Sequence, residues 1–172
     1  IRLQKENLVH AYPQSKTIVS KISIQRIQEE QFIRKTLEIA SVDDFLARSS
    51  PMVTDAMDYV LNQQRDFLAK EKYRDFFESD NRFHRMIFDT AGKNLAWDLT
   101  NIASSHYNRL RFLSLKIRGL EERIVDEHQQ ILRAAKLGDA AGMKRILSIH
   151  VDYIQREFEQ LTSVYPQYFV AQ

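Results

Sequence analysis

The sequence predicts an all-α protein, an antiparallel bundle of about six to seven helices preceded by a short β-hairpin. Three observations predict it. From residue 23 onward, apolar residues recur at three- and four-residue spacing, the period of an amphipathic helix. Only four Gly and three Pro occur in 172 residues, which leaves little room for long loops. The periodic segments are punctuated by cap signals and are too short for a coiled coil, so packing as a bundle is expected.

Taken in order, Ile1 to Glu6 reads as the last turns of a helix. Leu8-Val9-His10-Ala11-Tyr12 and Thr17-Ile18-Val19-Ser20-Lys21 are β-prone runs, and Pro13-Gln14-Ser15-Lys16 between them reads as a hairpin tip. An isolated two-stranded hairpin is marginal in water. Residues 1–22 are therefore expected to be the end of a domain whose first part lies upstream, and a start at Ile-Arg-Leu agrees with that. Ser23 caps a first helix carrying Ile24, Ile27, Phe32, Ile33 and Leu37. Ser50-Pro51 opens a second, with proline in the first turn, carrying Val53, Met57, Val60, Leu61 and Phe67. A third runs from about Tyr73 to Thr90 and stops near Gly92. A fourth starts near Asn94 and holds Leu95, Leu99, Ile102, His106, Leu110 and Leu113. A fifth runs from about Leu120 to Leu137, ended by Gly138, and Asp139 caps a sixth that continues to about Val164 before Pro166.

Bulk properties remove several function classes. The hydrophobic content of 44% supports a real core, and the absence of cysteine excludes disulfides and thiolate metal sites. A net charge of +2 is too weak a bias to argue for nucleic acid by itself. No apolar run is long enough to span a bilayer and no secretory signal opens the chain, so a cytoplasmic protein without membrane partners is expected. Glycine-rich phosphate loops are missing, as are the Gly-x-Ser-x-Gly and His-Glu-x-x-His patterns.

Four polar residues occupy apolar positions. In Phe76-Phe77-x-x-Asp80-x-x-x-His84-x-x-Ile87-Phe88, Asp80 and His84 continue the inward stripe. His128 does so between Ile124 and Ile131-Leu132, and His150 between Ile146-Leu147 and Ile154. A buried carboxylate or imidazole is costly without a partner. Three helices aiming such groups at one core is the pattern of a metal held inside a bundle. Three histidines and one carboxylate suit a divalent transition metal. Singly, each residue has a plainer explanation: Asp80 and His84 as a local i,i+4 pair, His128 or His150 bonded to a carbonyl. His10, read as a loop or strand residue, and His106 fit the pattern less well.

The ordered motifs resemble a known family. Leu8 to Ile22 is similar to the wing of a GntR-type transcriptional regulator. Gln31-Phe32-Ile33-Arg34-Lys35-Thr36-Leu37-Glu38 resembles the opening helix of that family's FadR-like effector domain, the FCD domain. Asp80-Asn81-Arg82-Phe83-His84 is similar to its Asp-x-x-Phe-His motif, and Glu127-His128-x-x-Ile131-x-x-Ala134 with Gly138-Asp139 to its next block. One departure is Lys16, where the family has glycine in the wing tip.

The resemblance implies that residues 1–22 are the remnant of a winged helix-turn-helix, with Ile1 to Glu6 the tail of its recognition helix. Residues 23–172 would be a metal-binding, effector-binding and dimerising helical domain. It implies that Asp80, His84, His128 and His150 hold one metal, zinc first, with nickel, manganese or iron as alternatives. The effector it implies is a small organic acid or sugar acid. Arginine grips both oxygens of a carboxylate, which makes Arg34 and Arg109 effector candidates, with His106 and Asn108 beside them. Arg34 also stands i,i+4 from Glu38 and can simply pair with it. Tyr107 and Trp97 are expected to pack. Toward operator DNA, Gln14, Ser15, Lys16 and Thr17 of the wing and Arg2 are the candidate contacts. The resemblance further implies a homodimer, in which effector binding changes the relative placement of two DNA-reading heads.

Two rivals remain open at this point. A metal with open positions can activate water, but Glu127, next to His128, is expected to face away from the metal and no other acid/base candidate is evident. The other rival is a metal-free helical interaction module.

Overall fold

The computed structural model describes residues 2–5, 8–117 and 119–170. In chain order these form α1 (Arg2–Lys5), β1 (Val9–Ala11), β2 (Thr17–Val19), α2 (Ile24–Ala40), α3 (Val42–Arg48), α4 (Pro51–Ala69), α5 (Tyr73–Ala91), α6 (Asn94–Ile102), α7 (Ser105–Ser114), α8 (Leu120–Leu137), α9 (Ala140–Val164) and a 3-10 turn at Pro166–Tyr168. Among the described residues no helix is long and apolar enough to cross a membrane.

The hairpin pairs Val9 with Val19, His10 with Ile18 and Ala11 with Thr17, antiparallel. Its loop closes through the Tyr12 N–H, which donates to Lys16 O at 2.8 Å. The left-handed position that a tip glycine would suit falls on Gln14 (φ 54), not on Lys16. Gln14, Ser15, Lys16 and Thr17 are all exposed. Ile1 and Glu6, the expected ends of the first helix, lie outside the described residues, as does the side chain of Arg2.

Buried Ile22 joins the hairpin to the bundle. Its N–H donates to Tyr168 O at 2.7 Å, and its carbonyl accepts from the Val170 N–H at 2.9 Å, so the connection is clamped to the C-terminal segment. The caps act where the sequence places them. Ser23 Oγ accepts from the Arg26 N–H, and Asp139 Oδ1 accepts from the Gly142 N–H at 2.9 Å. Pro51 stands in the first turn of α4, and Gly138 ends α8 in the left-handed region at φ 66.

Three features depart from the sequence expectation. The first core helix ends at Ser41 and is followed by the separate short α3, whose Phe45 is fully buried. The expected fourth helix is two helices, broken at Ala103-Ser104. The break has a tertiary cause: the Glu30 carboxylate of α2 accepts from the Tyr107 N–H at 2.7 Å and so caps α7 from outside. The third departure is the inward face of α2. Its buried residues are Ile27, Glu30, Gln31, Arg34 and Glu38, while Phe32 is 69% exposed.

Packing explains the last of these. α2 lies against α7 and α9, α4 against α5 and α8, and α8 against α9. The fully buried apolar core includes Phe45 of α3, Met57 and Leu61 of α4, Phe83 and Ile87 of α5, Leu110 of α7, Ile131 of α8, and Met143 and Leu147 of α9. Each such side chain contributes roughly 1.5–3 kcal/mol by leaving water. α2 covers the polar centre of the bundle: Glu38 reaches His84 and Arg34 pairs with Glu38, while Glu30 caps α7 and Gln31 bonds Val151 O.

Candidate metal centre

Asp80 and His84 lie one turn apart on α5, His128 lies on α8 and His150 on α9, and all four are buried. One donor atom from each falls within 4.8 Å of the other three. The three Nε2 atoms are closer still. His84 and His150 approach to 3.1 Å, His84 and His128 to 3.2 Å, and His128 and His150 to 3.3 Å. Asp80 Oδ1 stands 3.6 Å from His128 Nε2. Phe83 stacks on the His128 ring at 4.4 Å and holds it in place.

The opposite nitrogen of each ring is engaged outward. His84 Nδ1 bonds Glu38, His128 Nδ1 bonds Gln64 Oε1 at 2.8 Å, and His150 Nδ1 bonds Glu127 Oε2 at 2.9 Å. Each outer partner is an oxygen acceptor, so each Nδ1 carries the proton and each Nε2 keeps its lone pair. Three lone pairs therefore face one another across just over 3 Å with no proton between them. That arrangement is repulsive alone and favourable around a cation.

The donor set fits such an ion. Nitrogens about 2.0–2.1 Å from one centre, at angles of about 90–110°, sit roughly 2.8–3.4 Å apart. Asp80 Oδ1 completes a set of three neutral imidazoles and one carboxylate, borderline donors that suit zinc, nickel, iron or manganese.

Electrostatics keep the rings in the binding form. Burial pushes the His84 imidazole down to about 4, against a partial counter-pull from Glu38. Burial, aided by the neighbouring His150, holds His128 well below the ordinary histidine range. Burial alone would raise Asp80, but Arg111 and the histidines hold its carboxyl well below the usual carboxylate range. Glu38 behaves likewise, with His84 and then Arg34 outweighing its burial.

Several of these residues were missing from the sequence reading. Glu38 entered it only as a possible partner of Arg34, and Gln64 not at all, although both stand at i,i+4 positions facing the core. Glu127 does stay outside the ring of Nε2 atoms, but it is not idle: it orients His150. Arg111 was also missed. It pairs with Asp80 and donates to Asn81 Oδ1 and Asn108 Oδ1, each at 2.8 Å. An arginine at a core position of α7 was the signal that pointed to it.

The effector candidates separate in space. Arg34 is buried beside the centre, 3.4 Å from Glu38 Oε2 and 5.6 Å from the Tyr107 ring centroid. His106 Nδ1 accepts from the Ser23 N–H at 3.1 Å, which occupies it at the start of α2. Asn108 and Arg109 line a different cavity, of about 600 Å³, between α7 and the Ile22 connection. Tyr107 packs in the core with its hydroxyl 3.3 Å from Val151 O, and Trp97 packs on Phe88 at 5.7 Å. The side chain of Ile154 lies outside the described residues.

Comparison with known proteins accords with this architecture. Residues 31–153 match the FCD domain family. The HTH-type transcriptional repressor RspR of Escherichia coli K12 is 28% identical over 165 residues, 94% of this chain and 71% of that protein. An HTH-type transcriptional regulator from an unstable DNA locus of Streptomyces ambofaciens is 27% identical over 170 residues, 98% of this chain and 71% of that protein. The solved structure of E. coli McbR/YncC superposes with a TM-score of 0.79 at 16% identity, covering 95% of this chain and 81% of that one, and shows the same fold. The family is one of regulators rather than enzymes, which removes the hydrolase reading. The chain belongs to the FCD-domain family, the effector domains of GntR-type transcriptional regulators.

Proposed function

We propose that the helical domain, residues 23–172, binds one divalent transition metal through Asp80, His84, His128 and His150, and that the bound metal helps receive a small organic or sugar acid. The observation that carries this reading is the convergence of three Nε2 lone pairs, each fixed by an outward-bonded Nδ1. Zinc is the first candidate. When bound, the ion supplies positive charge and open coordination positions for a carboxylate. Arg34 and Arg111, both buried and 5.6 and 5.7 Å from the Tyr107 ring centroid, add positive charge beside the centre while paired to Glu38 and Asp80.

Residues 1–22 fit the end of a winged DNA-binding domain, with exposed Gln14, Ser15, Lys16 and Thr17 available to DNA backbone and Arg2 of α1 as a further phosphate contact. In this reading the protein is a cytoplasmic homodimer that binds operator DNA. The acid favours one arrangement of the two effector domains and so alters the spacing of the DNA-reading heads. A ligand that binds both arrangements equally regulates nothing.

Cobalt(II) tests the reading. Added to chelator-treated protein, it is expected to give a one-to-one visible absorption band that changes on titration with citrate or gluconate. A His84→Ala variant should lose the band. Absence of a cobalt band in the unmodified protein would contradict the proposal.

A further inference from the structure

We propose a second ligand site, distinct from the metal centre, in the cavity between α7 and the Ile22 connection, and we assign it to an amphipathic monocarboxylate. The cavity holds about 600 Å³, the size of a drug-like or short fatty ligand. Its wall is mostly apolar, with Ile22, Phe77, Phe112 and Leu113 facing the space. Among the described residues its charged lining residues are the cations Arg109 and Lys116, and no Asp or Glu lines it.

Arg109 carries the argument. Its Nη1 is buried and has no hydrogen-bond partner among the described residues. Arg109 as a whole is half-buried, but a guanidinium nitrogen sheltered from water without a partner is costly, and a carboxylate is the group its fork fits. Burial lowers its proton affinity with no acid to offset the loss. By contrast, Arg34 and Arg111 both have carboxylate partners inside the protein. Among the described residues, no group partners Arg109 Nη1.

The place of the cavity gives the site a consequence. Leu8, directly before β1, and Ile22 form its N-terminal rim, and Tyr168 of the 3-10 turn closes another side. A ligand here touches the segment that joins the hairpin to the bundle. Asn108 lines the cavity and also accepts from Arg111, which holds Asp80 of the metal centre. Asn108, at the cavity wall, is thus two hydrogen bonds from Asp80, through Arg111.

Octanoate and 1-octanol, equal in length and different in charge, serve as probes by calorimetry with the intact metal-loaded chain. Octanoate is expected to bind one per chain and 1-octanol much more weakly. Arg109→Gln should weaken octanoate about 10- to 100-fold, the range for a charge-assisted hydrogen-bonded pair. Arg109→Lys should recover part of that loss. Because Arg109 bonds nothing in the described chain, the variant keeps its fold, which circular dichroism checks. Chelator-treated protein that remains folded should still bind octanoate. Equal octanoate affinity in Arg109→Gln would overturn the proposal. So would loss of octanoate binding on metal removal, which would place the carboxylate on the metal instead.

Discussion

His84, His128 and His150 each do two things at once: Nε2 faces the centre, and Nδ1 is held by an oxygen of Glu38, Gln64 or Glu127. The outer partners set ring orientation and tautomer, so they would tune the affinity for an ion without touching it. Glu127→Gln is expected to keep the fold and weaken zinc binding about 10- to 100-fold, as outer partners of metal-bound histidine do. A competition titration against a chelating dye measures it; unchanged affinity would show that Glu127 does not orient His150. The same residues set the acid response of the metal-free protein. His84 protonates near 6.5 when unfolded and only at about 4 when folded, so between these values the unfolded chain binds more protons. The stability that neutral His84 contributes is complete above about 6.5 and declines as pH falls toward 4. Urea midpoints of metal-free protein should therefore drop between pH 7.5 and 5, and midpoints that rise would refute this assignment.

At the scale of elements, the inward face of α2, though not its start or its Ser23 cap, is where reading the chain from its pattern failed, and α5, α8 and α9 are where the inward face was legible. On those three helices an apolar stripe interrupted by Asp80, His84, His128 or His150 was visible at helical spacing. Their caps at Gly138 and Asp139 were equally visible, because cap chemistry is local. α2 presents Glu30, Gln31, Arg34 and Glu38 inward, and no local rule announces that. Their environment is polar because distant residues make it so: His84 for Glu38, the α7 backbone for Glu30, and Val151 O, at 2.9 Å, for Gln31. The split between α6 and α7 was hidden for the same reason, since its cap comes from 77 residues away. Glu30→Ala should accordingly destabilise the protein by about 1–2 kcal/mol, the cost of losing a helix cap. Its metal stoichiometry should be unaffected. A urea midpoint equal to that of the unmodified protein would show that α7 needs no cap from α2.

For the molecule as a whole, the candidate metal centre is the point where six helices meet. α5, α8 and α9 supply the donor residues, while α2, α4 and α7 supply Glu38, Gln64 and Arg111 that hold them. Binding there should act on global stability, because an ion that binds only the folded chain stabilises it by mass action, about 4 kcal/mol at a thousandfold excess over Kd. The most direct test of this account is elemental mass spectrometry of the purified protein before and after chelator, with the melting temperature followed alongside. The account predicts about one transition metal per chain, in line with a single four-residue site, lost on chelation together with a fall in melting temperature and restored by zinc. A protein that carries no metal, and whose melting temperature ignores added zinc, nickel and manganese, would contradict it.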